Sequence, residues 1–143
     1  MKVLIPIDGS KCSQNTLAWA AQSLNKEQTQ FVLIHIIPSG IPELVTEVYQ
    51  VEDALKVLDD ARTYLTAQGL NVLATEYLEG DPVESICRMA EDLNVDQVLM
   101  GSHGRSGLIK MLLGSVSSGV MEKCKKPVFI YRNHENASVS ASV

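Results

Sequence analysis

The chain has 143 residues, 45% of them hydrophobic, and a formal net charge of -5. This length suits one domain with a sizeable core, and the acidic balance argues against a nucleic-acid partner. No apolar run approaches the roughly 20 residues of a membrane-spanning helix, so we expect no membrane partner. The three cysteines lack metal-ligand spacing and the N-terminus reaches Asp8 too soon for a signal peptide, so we expect a cytoplasmic protein with reduced thiols.

The first half of the chain predicts two buried strands, each followed by a helix. Residues 3–7 form a short apolar run that ends at Asp8-Gly9-Ser10, where Ser10 can cap a helix. Residues 31–37 are apolar on both faces, as expected of a central parallel strand. The spacing of apolar residues then predicts a helix over 43–68, while residues 39–50 are open to interpretation as a loop or a separate short helix. The predicted buried face of the long helix consists of Leu44, Val48, Val51, Leu55, Leu58 and Leu65.

The second half of the chain predicts three strands and two helices. Residues 71–78 are less apolar and predict a strand near the edge of the sheet. Asp81 is placed to cap a helix that begins with proline. Residues 96–100 and 127–131 predict the fourth and fifth strands, with a helix beginning at Ser115 between them.

This alternation of strands and helices predicts an α/β fold, with a mostly parallel five-stranded sheet and helices on both of its faces. In such sheets, ligands bind at the carboxyl ends of strands, where the strand order reverses. Three segments follow strand ends in this way: Asp8–Ser10, Ile36–Ile37 and the loop from Gly101. If strands 1 and 4 are neighbours, the three segments meet in one crevice.

The loop after strand 4 is rich in glycine and leads into a helix. Gly101, Gly104 and Gly107 lie in this loop, and Gly114-Ser115 stands where the helix begins. Glycine allows a backbone to approach an anion closely, and a helix N-terminus offers unpaired N–H groups and the positive end of a dipole. We therefore expect this loop to hold the phosphates of a nucleotide.

Other phosphate-binding α/β folds fit the sequence less well. A P-loop NTPase needs Gly-Lys-[Ser/Thr], which occurs nowhere in the chain. A receiver domain would need an acidic pair after strand 1, whereas Asp8 stands alone there. A flavodoxin would bind phosphate at that first loop, where the charge of Asp8 would repel it. An adenylating enzyme of similar topology would carry a Ser-Gly-Gly loop after strand 1, and this loop is missing.

Three further side chains have structural interpretations. His35 lies within an apolar strand and is expected to be a hydrogen-bonded core histidine. His103 is expected to lie in a loop near solvent, because no nucleophile or carboxylate partner for it is identifiable. Cys12 is expected to be an ordinary thiol despite its place near a helix start.

The spacing Gly101-x2-Gly104-x9-Gly114-Ser115 resembles the nucleotide motif of the universal stress proteins, in the branch that binds ATP. The segments 6–10, 33–36 and 126–130 resemble that family's first, second and last strands, in the same order. This resemblance implies a Rossmann-like fold of the adenine nucleotide alpha hydrolase type, with strand order 3-2-1-4-5. The resemblance covers one domain over residues 1–132, and the composition of residues 133–143 predicts a disordered tail.

The resemblance further implies that the ligand is ATP, or ADP or AMP, bound with Mg²⁺. Asp8 would lie beside the ribose or the adenine, and the backbone of Ile36 would contact the adenine. Gly101 and Gly104 would let the chain wrap the nucleotide, and residues 114–116 would meet its phosphates. The full set of expected nucleotide contacts is Pro6, Ile7, Asp8, Ile36, Met100, Gly101, Ser102, His103, Gly104, Arg105, Gly114, Ser115, Val116 and Ser117.

A homodimer is also implied, because members of the family pair through their last strand. That strand here would present Val128, Phe129, Ile130 and Tyr131, which would otherwise form an exposed apolar sheet edge. The expected function is that of an ATP-binding module in a stress response. A slow Mg²⁺-dependent ATPase in the same pocket and a nucleotide-free interaction dimer are the alternatives. No catalytic residue or metal ligand can be named, because the sequence supplies no general base at an identifiable position.

Overall fold

The computed structural model describes residues 1–40, 47–104 and 113–132. Its five strands form one sheet in the order β3-β2-β1-β4-β5, and every pairing is parallel. The fold class and the strand order predicted from the sequence are therefore confirmed. The strands are β1 Lys2–Pro6, β2 Gln30–Pro38, β3 Asn71–Gly80, β4 Gln97–Gly101 and β5 Val128–Tyr131, and the helices are α1 Lys11–Ser23, α2 Glu47–Ala67, α3 Pro82–Asp92 and α4 Ser115–Lys123.

The core consists of two apolar layers, one on each face of the sheet. Because successive side chains of a strand point to opposite faces, Val3 and Ile5 of β1 pack with α1 and α2, while Leu4 packs with α3 and α4. In β2, Leu33 and Ile34 divide between the two layers in the same way. Strands covered by helices on both faces need apolar residues at every position, which explains the continuous apolar runs of β1 and β2.

The predicted buried face of α2 is wrong at Leu55, whose side chain is 52% exposed. Ala54 is fully buried instead, together with Leu58, Ala61 and Leu65. These four buried positions follow the helical repeat of i, i+4, i+7 and i+11, and a residue one position along lies about 100° further round the helix. Small alanines therefore face the sheet where a leucine was expected. The predicted start of this helix at residue 43, with Leu44 and the side chain of Val48, lies outside the described residues.

The predicted helix caps are confirmed. The Ser10 Oγ accepts a hydrogen bond from the Ser13 N–H at 3.2 Å at the start of α1. At the start of α3, the Asp81 carboxylate accepts one from the Glu84 N–H at 2.9 Å. Gly69 follows α2 with a φ of 83°, a conformation that glycine adopts without steric cost. Local sequence therefore determines where these helices begin and end.

Within residues 1–40, 47–104 and 113–132, the structure has no helix that is long and apolar enough to cross a membrane. β2 lies inside the sheet and β3 lies at one of its edges, as expected from their different apolar content. The tail predicted over 133–143 lies outside the described residues.

We expect Asp81→Ala to lower the free energy of unfolding by about 1 kcal/mol, because the substitution removes the side-chain acceptor at the first turn of α3. Urea unfolding followed by circular dichroism measures this change. Asp92→Ala is the matched control, because it removes an exposed carboxylate from the other end of the same helix. An equal loss of stability in both variants would contradict a specific role of the cap.

Candidate functional site

A cavity of about 470 Å³ opens at the carboxyl ends of β1, β2 and β4. β1 pairs with β2 on one side and with β4 on the other, so the cavity lies where the strand order reverses. The structure brings most of the predicted site residues to its wall: Pro6, Ile7, Asp8, Ile36, Met100, Gly101, His103, Gly104, Gly114, Ser115, Val116 and Ser117.

Ser102 is a predicted contact that does not line this cavity. Only 2% of its surface is exposed, and it stabilises the loop from the interior of the protein. Its carbonyl accepts hydrogen bonds from the Gly114 N–H and from the Ser117 hydroxyl, both at 2.7 Å, and its N–H donates to the Tyr131 carbonyl at 2.9 Å. Ser102 therefore ties the loop after β4 to the start of α4. Arg105 lies outside the described residues.

Asp8 is held at the mouth of the cavity by the turn that follows β1. Its Oδ1 accepts a hydrogen bond from the Ser10 N–H at 2.9 Å, and its own N–H donates to the Ser13 Oγ at 3.4 Å. A Cβ atom at Gly104 would lie only 2.7 Å from the Asp8 Oδ2. The first loop and the loop after β4 therefore pack against each other here, and this contact requires glycine at position 104.

The N-terminus of α4 opens towards the same cavity. Gly114 precedes the helix and provides no side-chain cap, unlike the residues that precede α1 and α3. The hydroxyl of Ser117 donates to the Ser102 and Gly114 carbonyls instead of accepting from a first-turn N–H. The first N–H groups of a helix have no partner within it, so this helix start can bind an anion with the positive end of its dipole.

Gly114 itself lies close to the loop that follows β4. A Cβ atom at this position would meet the Ser102 carbonyl oxygen at 3.2 Å and the His103 Cα at 3.5 Å. His103 in turn places its Nδ1 3.0 Å from the Ser102 Oγ, and its side chain is half-buried. The glycine therefore allows the helix start to approach the loop closely enough for both to form one wall.

Gly101 takes part in a close packing contact that the sequence motif did not indicate. A Cβ atom there would lie 2.7 Å from the Cys12 Sγ and 3.2 Å from the Thr16 Oγ1, both on α1. Cys12 is buried against the end of β4, in line with its interpretation as an ordinary thiol. The missing side chain of Gly101 therefore lets α1 pack directly on the end of β4.

His35 confirms its interpretation as a hydrogen-bonded core histidine, because it is buried and its Nδ1 lies 2.8 Å from the Ile7 carbonyl oxygen. A carbonyl only accepts, so this nitrogen carries the proton. Sequence reasoning did not anticipate that His35 also contributes to the cavity wall. The other wall residues that it missed are Ser13, Pro38, Gln50, Asp53, Pro82 and Ile86, while Ile37 belongs to the segment Ile36–Ile37 that was expected in the crevice.

Some of these missed residues had a signal in the sequence. Pro82 and Ile86 belong to a helix that follows β3, and the N-termini of such helices lie at the carboxyl edge of the sheet, beside the cavity. Gln50 and Asp53 had none, because the start of their helix was not predictable. Asp8 and Asp53 place carboxylates on the wall. Within the described part of the chain, no three His, Cys, Asp or Glu side chains group together as metal ligands.

These features define a doubly wound α/β domain with a ligand cavity at the point where its strand order reverses. The model of the universal stress protein family matches residues 1–132. The chain belongs to this family, as the motifs in its sequence predicted.

Individual relatives agree with this assignment. Universal stress protein YxiE of Bacillus subtilis is 30% identical, over 92% of this chain and 98% of its own length. The solved structure of MJ0577, a universal stress protein of Methanocaldococcus jannaschii, gives a TM-score of 0.77 at 28% identity, covering 92% of this chain and 95% of that one. A universal stress protein from Archaeoglobus fulgidus, solved in complex with dAMP, gives a TM-score of 0.70 at 20% identity, with coverages of 91% and 96%.

We expect Gly101→Ala to lower the free energy of unfolding by about 1–3 kcal/mol, because the new methyl group overlaps the Cys12 sulfur. Cys12→Ala removes that sulfur, so the same substitution should cost about 1 kcal/mol less in the Cys12→Ala background. Urea unfolding of the two single variants and the double variant measures this difference. Strictly additive effects would show that the contact with α1 does not explain the glycine.

Proposed function

We propose that this protein is a homodimeric, ATP-binding regulatory module of the cytoplasm, formed by one domain over residues 1–132. The observation that carries the proposal is the cavity in which the uncapped start of α4 faces the carboxyl ends of β1, β2 and β4. A cavity of about 470 Å³ falls within the range of small-molecule sites. The dAMP complex of the Archaeoglobus fulgidus relative supports an adenine nucleotide as the class of ligand.

The phosphates would bind at the N-terminus of α4. Ser115 can add its hydroxyl to the N–H groups of this first turn, since it lies on the cavity wall and its side chain is exposed. Gly114 leaves room for the phosphates to approach the backbone. Mg²⁺ would accompany ATP and offset part of the phosphate charge, and it usually takes most of its ligands from phosphates and water.

The nucleoside would extend from this helix start towards β1 and β2. Asp8 provides a fixed carboxylate that can accept hydrogen bonds from ribose hydroxyls, because the turn after β1 holds it at the cavity mouth. Ile36 stands near the end of β2, where its backbone can pair with the edge of the adenine. Apolar wall residues on other elements, among them Ile86 and Met100, provide surface on which the base can pack.

The dimer would form through β5, which lies at the edge of the sheet. Phe129 is 45% exposed, and its ring stacks on that of Trp19 with centroids 4.9 Å apart. The Tyr131 ring adds to this surface at 6.3 Å from Trp19. An aromatic cluster beside a sheet edge offers both apolar area and free backbone groups to a second copy of the chain.

The affinity of the protein for adenine compounds should fall in the order ATP, ADP, AMP, adenosine, because each phosphate removed takes negative charge away from the start of α4. Gly114→Val should weaken ATP binding at least about a hundredfold and weaken adenosine binding much less, since the added side chain would crowd the loop at Ser102 and His103 and displace the start of α4, where the phosphates would bind. Isothermal titration calorimetry with Mg²⁺ measures both series.

Ser118→Ala is the matched control for the helix, because Ser118 is an exposed residue of α4 that does not contribute to the cavity wall. Its ATP affinity should equal that of the unaltered protein. Unchanged ATP affinity in Gly114→Val would remove the start of α4 from the proposal. Failure of the unaltered protein to bind any of the four compounds would overturn the nucleotide function and favour an interaction dimer.

Phe129→Asp should raise the dissociation constant of the dimer at least about tenfold, because a charge replaces an apolar anchor beside the β5 edge. Leu73→Asp is the control, since Leu73 is also 45% exposed but lies on β3 at the opposite edge. Sedimentation equilibrium of both variants measures the constants. Equal weakening by the two substitutions, or a monomeric unaltered protein, would contradict a dimer through β5.

A further inference from the structure

A pair of cysteines lies outside the cavity, between α3 and the end of α4. Cys87 is in the middle of α3, and Cys124 is the residue at which α4 ends. Both thiols are free and half-buried, and both pack against the apolar layer beneath these two helices. Cys124 is also close enough to the Cys87 thiol to raise its pKa. The two thiols therefore belong to neighbouring parts of the contact between α3 and α4.

The packing of the two helices on one side of the pair fixes its position. A Cβ atom at Gly119 would lie only 2.6 Å from the Val83 Cγ2, so α3 and α4 are in close contact at this point. Cys87 follows Val83 by four residues and therefore lies one turn along the same face of α3. On α4, Cys124 lies just beyond one turn from Gly119, at the end of the helix.

Polar contacts fix the other side of the pair. The Lys125 Nζ lies 3.5 Å from the Glu91 Oε1, and Glu91 is one turn beyond Cys87 on α3. The Lys126 Nζ then donates to the Asn94 Oδ1 at 2.6 Å. The cysteines thus stand between an apolar contact and two polar ones, all of which join the same two segments.

We propose that Cys87 and Cys124 form a redox modification site, at which a hydroperoxide such as hydrogen peroxide converts the two thiols into a reversible intrachain disulfide. A groove of about 370 Å³ gives a small oxidant access to Cys87. Its other lining residues are Asp81, Val83, Glu84, Arg88, Glu91 and Lys123. Disulfides of reducing compartments are usually transient ones of this kind.

The first step oxidises one of the two thiols. Burial, followed by the neighbouring Cys124, raises the pKa of the Cys87 thiol to about 11, so this thiol stays protonated near neutral pH in the reduced pair. One sulfur of the pair takes one oxygen from hydrogen peroxide to give a sulfenic acid, and the rest of the peroxide leaves as water.

The second step joins the two sulfurs. The sulfur of the other cysteine attacks the sulfenic sulfur, the S–S bond forms and the S–O bond breaks. The proton of the attacking thiol leaves with the departing hydroxide as a second water. In total the two thiols lose two electrons, and one peroxide is reduced to two waters. Cys124 has left the helical conformation, with φ at -72° and ψ at 133°, so its backbone can adjust to disulfide geometry without distorting the interior of α4.

The test is oxidation of the full chain with an equimolar amount of hydrogen peroxide, followed by alkylation and peptide mass spectrometry without reduction. We expect a peptide that links Cys87 to Cys124 and a fall in alkylatable thiols from three to about one. Dithiothreitol should restore all of them. Neither readout requires a bound nucleotide, so the result is independent of the proposed function.

Cys12→Ser should leave the linkage intact, while Cys87→Ser and Cys124→Ser should each abolish it. Circular dichroism of the reduced variants confirms that loss of the linkage does not arise from unfolding. Four outcomes would overturn the proposal: linkage to Cys12, disulfides between chains only, sulfinic acid without linkage, or three unmodified thiols after a full peroxide titration.

Discussion

The position of β1 between β2 and β4 is the constraint on which the rest of the structure depends. Because the chain continues from β1 to one side and returns to β4 on the other, the connections that follow these strands diverge at their carboxyl ends. Backbone groups there are no longer occupied by the ladder of the sheet, and a cavity opens between the diverging segments. Residues as far apart in sequence as Asp8, Ile36 and Met100 therefore share one wall. The parallel pairing on both sides of β1 places them, and neither neighbouring strand alone would do so.

The glycines of the loop after β4 form one sequence motif, but each of them makes room for a different packing contact. The missing side chain leaves room for α1 at Gly101, for the Asp8 carboxylate at Gly104, and for the loop beside the start of α4 at Gly114. A Cβ atom at each of these positions would lie within about 3 Å of other protein atoms. The Ser102 carbonyl adds two hydrogen bonds that hold the loop and the helix together. The protein's own packing therefore shapes the described part of this wall.

The helix pair α3 and α4 contributes to two separate places in the molecule. At their N-terminal ends, Pro82 and Ser115 help to line the cavity. Further along, the helices approach closely at Gly119 and carry Cys87 and Cys124 one turn or more beyond that contact. The apolar layer under these helices joins the two ends, and both helices are anchored on it through residues that are almost completely buried. Two helices packed on one face of the sheet can therefore line a cavity with their N-terminal ends and carry a pair of cysteines further along.

The sequence by itself determined the features that depend on neighbouring residues. Ser10 and Asp81 cap helices through hydrogen bonds that span three residues, and continuous apolar runs identify strands that are covered on both faces. The motif residues Gly101, Gly104, Gly114 and Ser115 also lie on one cavity wall. Only the tertiary structure decided which side of α2 faces the sheet, where Leu55 proved exposed, and why position 101 requires glycine, since that reason is the Cys12 side chain about ninety residues earlier. Such contacts join segments that are distant along the chain, and local patterns of polarity carry no information about the distance between their atoms.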